Sequence, residues 1–228
     1  LPSLTAAEVD GLLTTALGVA PPELRDALLM RTRGLPGLVV DLLLLSIGRG
    51  ALRPRGESLA LEGAVPTVSP EQLPKERLAA EGARCGRLLE AVWLLGEQTD
   101  AAAVAQVLPG VAQELWPRAV TARVLVGTGQ GRASVAGAFE ALVASTTGSG
   151  PGLALRALTA LQTSGGPSRA NATRVAMLLE RAQEPQKAGT QWREVAAKAA
   201  AARDFELSAR AQEGMARVLR RHPQRDSG

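Results

Sequence analysis

Apolar residues recur three and four positions apart along most of the chain, the spacing that puts them on one face of a helix. The first such stretch follows Thr5, which together with Glu8 has the pattern of an N-terminal capping box. Its apolar face comprises Val9, Leu12, Leu13 and Leu17. The pattern therefore predicts a helix that begins directly after Thr5.

A sharp turn separates the next two predicted helices. Pro22 lies at the start of one helix, which we expect to end at Gly34 because glycine tolerates the left-handed backbone of a C-terminal stop. Pro36 follows and opens a third helix that continues to about Ile47. On physical grounds alone, the segment Thr32–Pro36 is most simply a corner between two helices.

Two short apolar segments after the third helix predict a small hairpin. Ala51-Leu52 and Ser58–Leu61 flank a turn at Pro54-Arg55-Gly56. Residues 1–62 would thus form a helical subdomain with a short hairpin. The proline-rich residues 63–74 would form a linker.

The pattern over residues 75–150 predicts a winged-helix-like domain. Helical periodicity covers about 75–95, 100–108 and 111–122, and a further helix covers about 137–146. Between them, the short segments 123–126 and 133–136 flank a glycine-rich turn and are predicted to pair as a wing. Pro117 should kink the third helix or shift its start.

Residues 151–221 are predicted to form helical hairpins. Helices are expected at about 151–163, 169–183, 187–203 and 205–221. Alanine is frequent in them, and small side chains let neighbouring helices approach closely, as hairpin repeats require. The helices that begin near Ala172 and Phe205 are about one tetratricopeptide period apart. Residues 222–228 are predicted to be a disordered tail, and the fold class is mainly α.

Composition agrees with packed helices. Aromatic residues make up only 2% of the chain and tyrosine is absent, so the core must consist of Leu, Val and Ala. The net charge of +4 is concentrated in residues 169–228, where 12 basic residues face 7 acidic ones. Basic and acidic residues alternate there at helical spacing, which favours a solvated helix face over a phosphate-binding stripe. The excess of Arg over Lys is typical of GC-rich bacterial genomes.

The chemistry-bearing residues do not form the pattern of an active site. No phosphate-binding Gly-x-x-x-x-Gly-Lys-Ser/Thr loop occurs, and one His and one Cys exclude a conventional zinc cluster. Cys85 lies in an apolar helical pattern and is predicted to be buried. The longest apolar stretch, Leu35–Ile47, contains Asp41 and is too short for a bilayer. We therefore expect a non-catalytic, cytoplasmic chain that does not bind a membrane.

The order of these segments resembles a known family. Thr32-Arg33-Gly34-Leu35-Pro36, the helix to Ile47 and the exit Gly50-Ala51-Leu52 resemble the region after the nucleotide-binding core of STAND signalling ATPases, which are AAA+-related P-loop proteins. Asp41 stands where the family usually has an acidic residue. Leu88–Glu97 is similar to a helix of the family's winged-helix domain. Residues 182–188 and 201–209 look like the start of its tetratricopeptide-like tail.

This resemblance implies a regulatory role. Residues 1–62 would be a helical lid, with Pro36 packed against the adenine of ATP or ADP and Gly34 shaping the turn. The nucleotide would be held by an upstream nucleotide-binding domain of the same polypeptide, and this fragment alone would bind none. A protein partner or effector would bind the C-terminal repeats. The family's winged helix commonly carries a His before a helix, but Ala133–Gly137 has none, so a His-to-phosphate contact is not implied.

Two other functions fit the residues alone. One is a free-standing helical scaffold for protein interactions. The other is a transcriptional regulator whose winged helix reads DNA, which would require a basic recognition helix. Residues 111–122 offer only Arg118, with Arg123 just beyond them and Glu114 opposing, so nucleic acid is not an expected partner.

Overall fold

The computed structural model forms two compact units, Leu1–Gly86 and Arg87–Gly228. It describes residues 2–18, 21–55, 58–96, 99–145, 150–164 and 169–221. The predicted disordered tail, 222–228, lies outside these residues. So do Gly56 of the predicted hairpin turn and residues 146–149, which lie between the helices described over 137–145 and 150–164. The described part is mainly helical with a few short antiparallel strands, which confirms the predicted class, mainly α with a small β-wing.

The first unit is a helical bundle with one hairpin. Its elements are α1 (Ala6–Leu17), α2 (Pro22–Thr32), α3 (Pro36–Gly48), β1 (Leu52–Arg55), β2 (Ser58–Leu61) and α4 (Leu73–Glu81). The predicted capping box is present, because the Glu8 amide donates to Thr5 Oγ1 (3.3 Å) and the Thr5 amide donates to Glu8 Oε2 (2.8 Å). Pro22 and Pro36 each occupy the first position of a helix, as predicted.

A core of aliphatic side chains joins these helices. Val9 and Leu13 of α1, Leu24 and Leu28 of α2, and Val39 of α3 are all fully buried. The segment predicted as a linker packs on the same core through Val65. The Arg31 guanidinium of α2 holds it there by donating to the carbonyl oxygens of Val65 and Pro66.

The second unit combines a winged region with helical hairpins. Its elements are α5 (Ala83–Leu95, which begins before the division between the units), β3 (Thr99–Asp100), α6 (Ala101–Val107), α7 (Val111–Thr121), β4 (Leu125–Gly129), β5 (Arg132–Val135), α8 (Gly137–Ser145), α9 (Gly150–Ser164), α10 (Arg169–Arg181), α11 (Pro185–Ala201) and α12 (Phe205–Arg221).

The three strands form one antiparallel sheet in the order β3-β5-β4. Leu125 pairs with Val135 and Thr99 pairs with Ala133, and an irregularity in register falls between Gly127 and Gly129. The wing was predicted, but β3 was not, because two residues are too few to give an alternating pattern. Asp100 ends this strand and caps α6, since its carboxylate accepts a 2.7 Å hydrogen bond from the Ala103 amide.

One further expectation about the helices needs correction. The single helix predicted over 75–95 is divided into α4 and α5 at Gly82, whose φ of 88° is incompatible with a continuing helix. Pro117 does not shift the start of α7, which runs from Val111 to Thr121 with the proline inside it. Proline cannot donate to the carbonyl of Gln113, one turn earlier, but both residues are exposed and water can satisfy that oxygen.

Arginines join the hairpins to the winged region within the second unit. Arg174 of α10 donates to the carbonyl oxygens of Trp93 and Leu94 at the end of α5, and Arg156 of α9 donates to that of Val107 (2.9 Å). Because the last carbonyls of a helix have no intrahelical donor, these guanidinium groups act as caps. The cation of Arg181 lies over the Trp93 ring, 4.5 Å from its centroid.

Candidate functional site

The turn at Thr32–Pro36 is fixed from within by a buried threonine. The hydroxyl of Thr32 donates to the Leu28 carbonyl (2.7 Å) and accepts from the Gly34 amide (3.2 Å). Arg33 and Gly34 both have left-handed backbone conformations, with φ values of 52° and 71°. The Leu35 amide then donates to the Thr32 carbonyl (3.0 Å). These bonds complete a tight reversal between α2 and α3.

The N-terminal segment of the chain packs directly on Gly34. The Leu4 amide donates a 2.7 Å hydrogen bond to the Gly34 carbonyl. A Cβ at Gly34 would collide with the Leu4 carbonyl oxygen and lie 3.3 Å from the Ser3 Cβ. Position 34 therefore requires glycine for two independent reasons, its positive φ and this close approach.

The segment on Gly34 is itself anchored by the capping box of α1. Thr5 follows Leu4, and its amide and hydroxyl both donate to the Glu8 carboxylate at 2.8 Å. The backbone and side-chain hydrogen bonds from Thr5 hold the pKa of Glu8 below its ordinary value of 4.5. Hydrogen bonds of adjacent residues therefore connect the capping box, through Leu4 and Gly34, to Thr32 in the turn.

Pro36 differs from Gly34 in its accessibility. Gly34 is buried, whereas Pro36 is half-buried and Leu35 beside it is 43% exposed. Leu35 and Pro36 both lie at the N-terminus of α3. Pro36 can therefore contact another molecule, whereas the path to the Gly34 Cα is occupied by Leu4.

An ion pair connects α3 with α4. Asp41, one and a half turns into α3, accepts from the guanidinium of Arg77 in α4. The Arg77 side chain is 4% exposed and that of Asp41 is 20% exposed. A buried ion pair has strict geometry, because neither charge can be left without its partner inside a protein.

The two site residues predicted from the sequence, Gly34 and Pro36, lie in one turn but have different surroundings. The packing of Leu4 on Gly34 could not be predicted from periodicity, because the contact joins residues far apart in the chain. The position of Arg77, in contrast, does indicate a buried ion pair. It lies four residues after the buried Leu73, so a cation occurs on the apolar face of α4 and needs a partner there.

Helix α7 of the winged region exposes a mixed set of side chains. Along α7 the exposed residues are Gln113, Glu114, Pro117, Arg118, Val120 and Thr121, of which one is basic and one acidic. The neighbouring strand β4 exposes Val126 (50%). This surface is mixed and partly apolar, whereas DNA-reading helices supply several cations to the phosphates.

Two open grooves lie along the described part of the helical hairpins. One, of about 640 Å³, lies between α9, α10 and α11 and includes Leu155, Leu158, Leu179 and Lys187. The other, of about 580 Å³, lies between α10 and the start of α12 and includes Arg174, Met177, Leu207 and Arg210. Mixed apolar and charged walls of this kind suit a peptide or a helix.

In the described ranges, no group of three or more His, Cys, Asp or Glu side chains could hold a metal ion. Cys85 is buried (4% exposed), as predicted. Among the helices of these ranges, none combines the length and apolar character needed to cross a bilayer.

Comparison of the chain with protein-family models, with curated proteins and with solved structures found no match.

Proposed function

We propose that this chain is the non-catalytic regulatory arm of a larger ATP-binding signalling protein of the STAND type. In this proposal the first unit is the helical lid that follows the nucleotide-binding core. Pro36 contacts the adenine of the bound nucleotide, and the second unit carries the change of state to a protein partner.

The observation that carries the proposal is the contrast between Gly34 and Pro36. A residue that reports on a nucleotide must be accessible and held in a fixed position, and half-buried Pro36 at the first position of α3 meets both conditions. Its ring offers a flat apolar face, which suits a purine. Gly34 acts indirectly: it shapes the turn, because the packing of Leu4 on it leaves no room for a ligand.

A continuous set of contacts could transmit a change at Pro36. The proline begins α3, and Asp41 of the same helix is paired with Arg77 of α4. A displacement of α3 must therefore move α4 or break a buried ion pair, which costs about 3–5 kcal/mol when one partner is removed. Coupling of this kind requires an element with two discrete arrangements, and α3 is the element that we propose.

The hairpins supply the proposed partner site. The groove between α9, α10 and α11 combines apolar Leu155 and Leu179 with charged Glu184 and Lys187. Apolar anchors with a polar margin are typical of surfaces that bind a peptide or helix. A free-standing scaffold would use the same groove, but that function gives no role to the half-buried proline at the start of α3.

The coding sequence upstream of Leu1 gives a first test. The proposal requires a Gly-x-x-x-x-Gly-Lys-Ser/Thr loop there, followed by an apolar strand that ends in acidic residues. Absence of both would contradict it. A separate titration of the 228-residue chain with duplex DNA tests the regulator alternative, for which binding must weaken steeply with salt. We expect no such binding, because α7 exposes a single basic residue.

A further inference from the structure

Helix α12 carries a second apolar stripe on the face that points away from its own unit. Its buried face, which includes Ala211, Gly214 and Val218, packs against α11. On the opposite face, positions spaced alternately four and three residues apart are all exposed: Phe205, Ala209, Gln212, Ala216 and Leu219. Phe205 is 82% exposed and Leu219 is 57% exposed.

This spacing is that of the contact seam in a pair of coiled helices. We call the five residues from Phe205 to Leu219 the outer stripe. Large apolar residues lie at its two ends and small or polar ones lie between them. Two such stripes placed antiparallel bring Phe205 of one against Leu219 of the other at both ends. Ala209 and Ala216 let the helix backbones come close.

The charges beside the outer stripe have the same self-complementary order. Glu206, Glu213 and Arg220 are seven residues apart and so lie along one edge of the stripe. In an antiparallel pair, Glu206 of each copy faces Arg220 of the other, and Glu213 faces its own counterpart. Counting every charge, residues 205–213 carry Glu206, Arg210 and Glu213, whereas residues 214–221 carry Arg217, Arg220 and Arg221, so the two halves of the helix differ in sign. The dipoles of the two α12 helices point in opposite directions in this pair, which also favours the antiparallel orientation.

We propose that the outer stripe of α12 binds the outer stripe of a second copy of this chain, antiparallel, with Gln212 near the two-fold axis. This inference is independent of the proposed nucleotide response, and either can fail alone. One helix pair buries less than the roughly 1,200 Å² of a standard interface. We therefore expect weak association, with a Kd on the order of 10–100 μM.

Sedimentation equilibrium of the 228-residue chain tests the association. At a concentration above the expected Kd, the mass should approach twice the 23.6 kDa of one chain. Phe205→Glu and Leu219→Glu should each weaken the dimer by at least about tenfold, since each buries a charge at an apolar contact. Glu213→Gln should strengthen it by removing the one like-charge contact. Met30→Glu is the matched control, because Met30 is equally exposed (79%) on α2 and should change nothing.

Disulfide trapping tests the orientation. Because Cys85 is buried, a cysteine introduced on α12 is the reactive one. Gln212→Cys should crosslink to its counterpart rapidly. Phe205→Cys should not, because the two copies of position 205 would be about 21 Å apart in the antiparallel pair, far beyond disulfide reach. Far-UV circular dichroism verifies that each variant is folded.

A chain that stays monomeric at about 200 μM overturns the proposal, since the outer stripe would then serve a different helix or none. A dimer that is insensitive to Phe205→Glu and Leu219→Glu overturns it as well. Efficient self-crosslinking of Phe205→Cys would rule out the antiparallel arrangement.

Discussion

The backbone of Leu4 lies on Gly34, and the Leu4 amide donates a 2.7 Å hydrogen bond to the Gly34 carbonyl. This contact closes the turn between α2 and α3 from outside, while the Thr32 hydroxyl closes it from inside. The position of Pro36 depends on both the Leu4–Gly34 contact and the hydrogen bonds of the Thr32 hydroxyl.

The first prediction concerns Gly34→Ala. The new methyl would collide with the Leu4 carbonyl oxygen and force alanine into a left-handed conformation, so the first unit should lose about 2–4 kcal/mol of stability. All three tryptophans (93, 116 and 192) lie in the second unit. Chemical denaturation followed by circular dichroism should therefore show an early transition that tryptophan fluorescence does not.

Gly37→Ala is the matched control for that experiment. Gly37 lies in the first turn of α3, and a Cβ there would meet nothing within 4 Å. Stability should be unchanged or rise by less than about 1 kcal/mol. Equal losses for the two variants would refute the special role of position 34.

The second prediction compares two ion pairs between the α3 and α4 regions. Asp41→Asn removes the carboxylate that pairs with the buried guanidinium of Arg77 and should cost the first unit up to about 3–5 kcal/mol. Arg49→Gln removes the pair with Glu76, whose side chains are 43% and 36% exposed, and should cost less than about 1 kcal/mol. Denaturation of the two variants under identical conditions measures the difference, and similar costs would show that the buried pair is not special.

The third prediction concerns the packing of the hairpins. Trp192 is 1% exposed, and its indole N–H donates to Glu180 (2.5 Å), which is also paired with Arg217 (3.3 Å). Gly214 of α12 lies against this ring, so Gly214→Ala should overpack the site and cost about 1–3 kcal/mol.

Gly189→Ala provides the comparison for the hairpins. Gly189 lies inside α11, and a Cβ there would make an ordinary 3.9 Å contact with Val218. This substitution should stabilise the second unit by up to about 1 kcal/mol, because alanine is the better helix former. Tryptophan fluorescence follows both variants directly. A destabilised Gly189→Ala would indicate that α11 and α12 pack more tightly than described.

The fourth prediction is a pH dependence at the start of α1. The pKa of Glu8 is lowered in the folded chain, so this carboxylate adds stability above its ordinary pKa of 4.5. That contribution is lost as the pH falls through the lowered, folded-state value. Thr5→Ala removes the side-chain hydrogen bond, so an NMR titration should show the pKa of Glu8 moving toward 4.5. An unchanged pKa of Glu8 would mean that the Thr5 hydroxyl does not contribute to lowering it.

Sequence periodicity predicted the helices well, because each buries an aliphatic face and most begin or end at a proline, a glycine or a capping residue. It failed where a single residue determines a break, as at Gly82, and where a strand is defined only by its partner, as with Thr99-Asp100 and β5.

Of the candidate site, the turn was predictable but its surroundings were not. Gly34 and Pro36 mark a helix corner in any sequence. The covering of Gly34 by Leu4 and the pairing of Asp41 with Arg77 are contacts between residues about 30 or more positions apart, and periodicity carries no information about such contacts. The difference in accessibility between the two site residues therefore emerged only from the structure.

The release rate of ADP from the full-length polypeptide tests whether Pro36 contacts the nucleotide, with Pro36→Ala compared with Pro22→Ala. Both prolines occupy the first position of a helix, so the two substitutions have similar effects on helix formation. We predict that Pro36→Ala accelerates ADP release about tenfold, the equivalent of about 1.4 kcal/mol of lost apolar contact, while Pro22→Ala leaves the release rate unchanged. Equal release rates for the two variants and the unaltered protein would contradict a role for Pro36 in nucleotide binding.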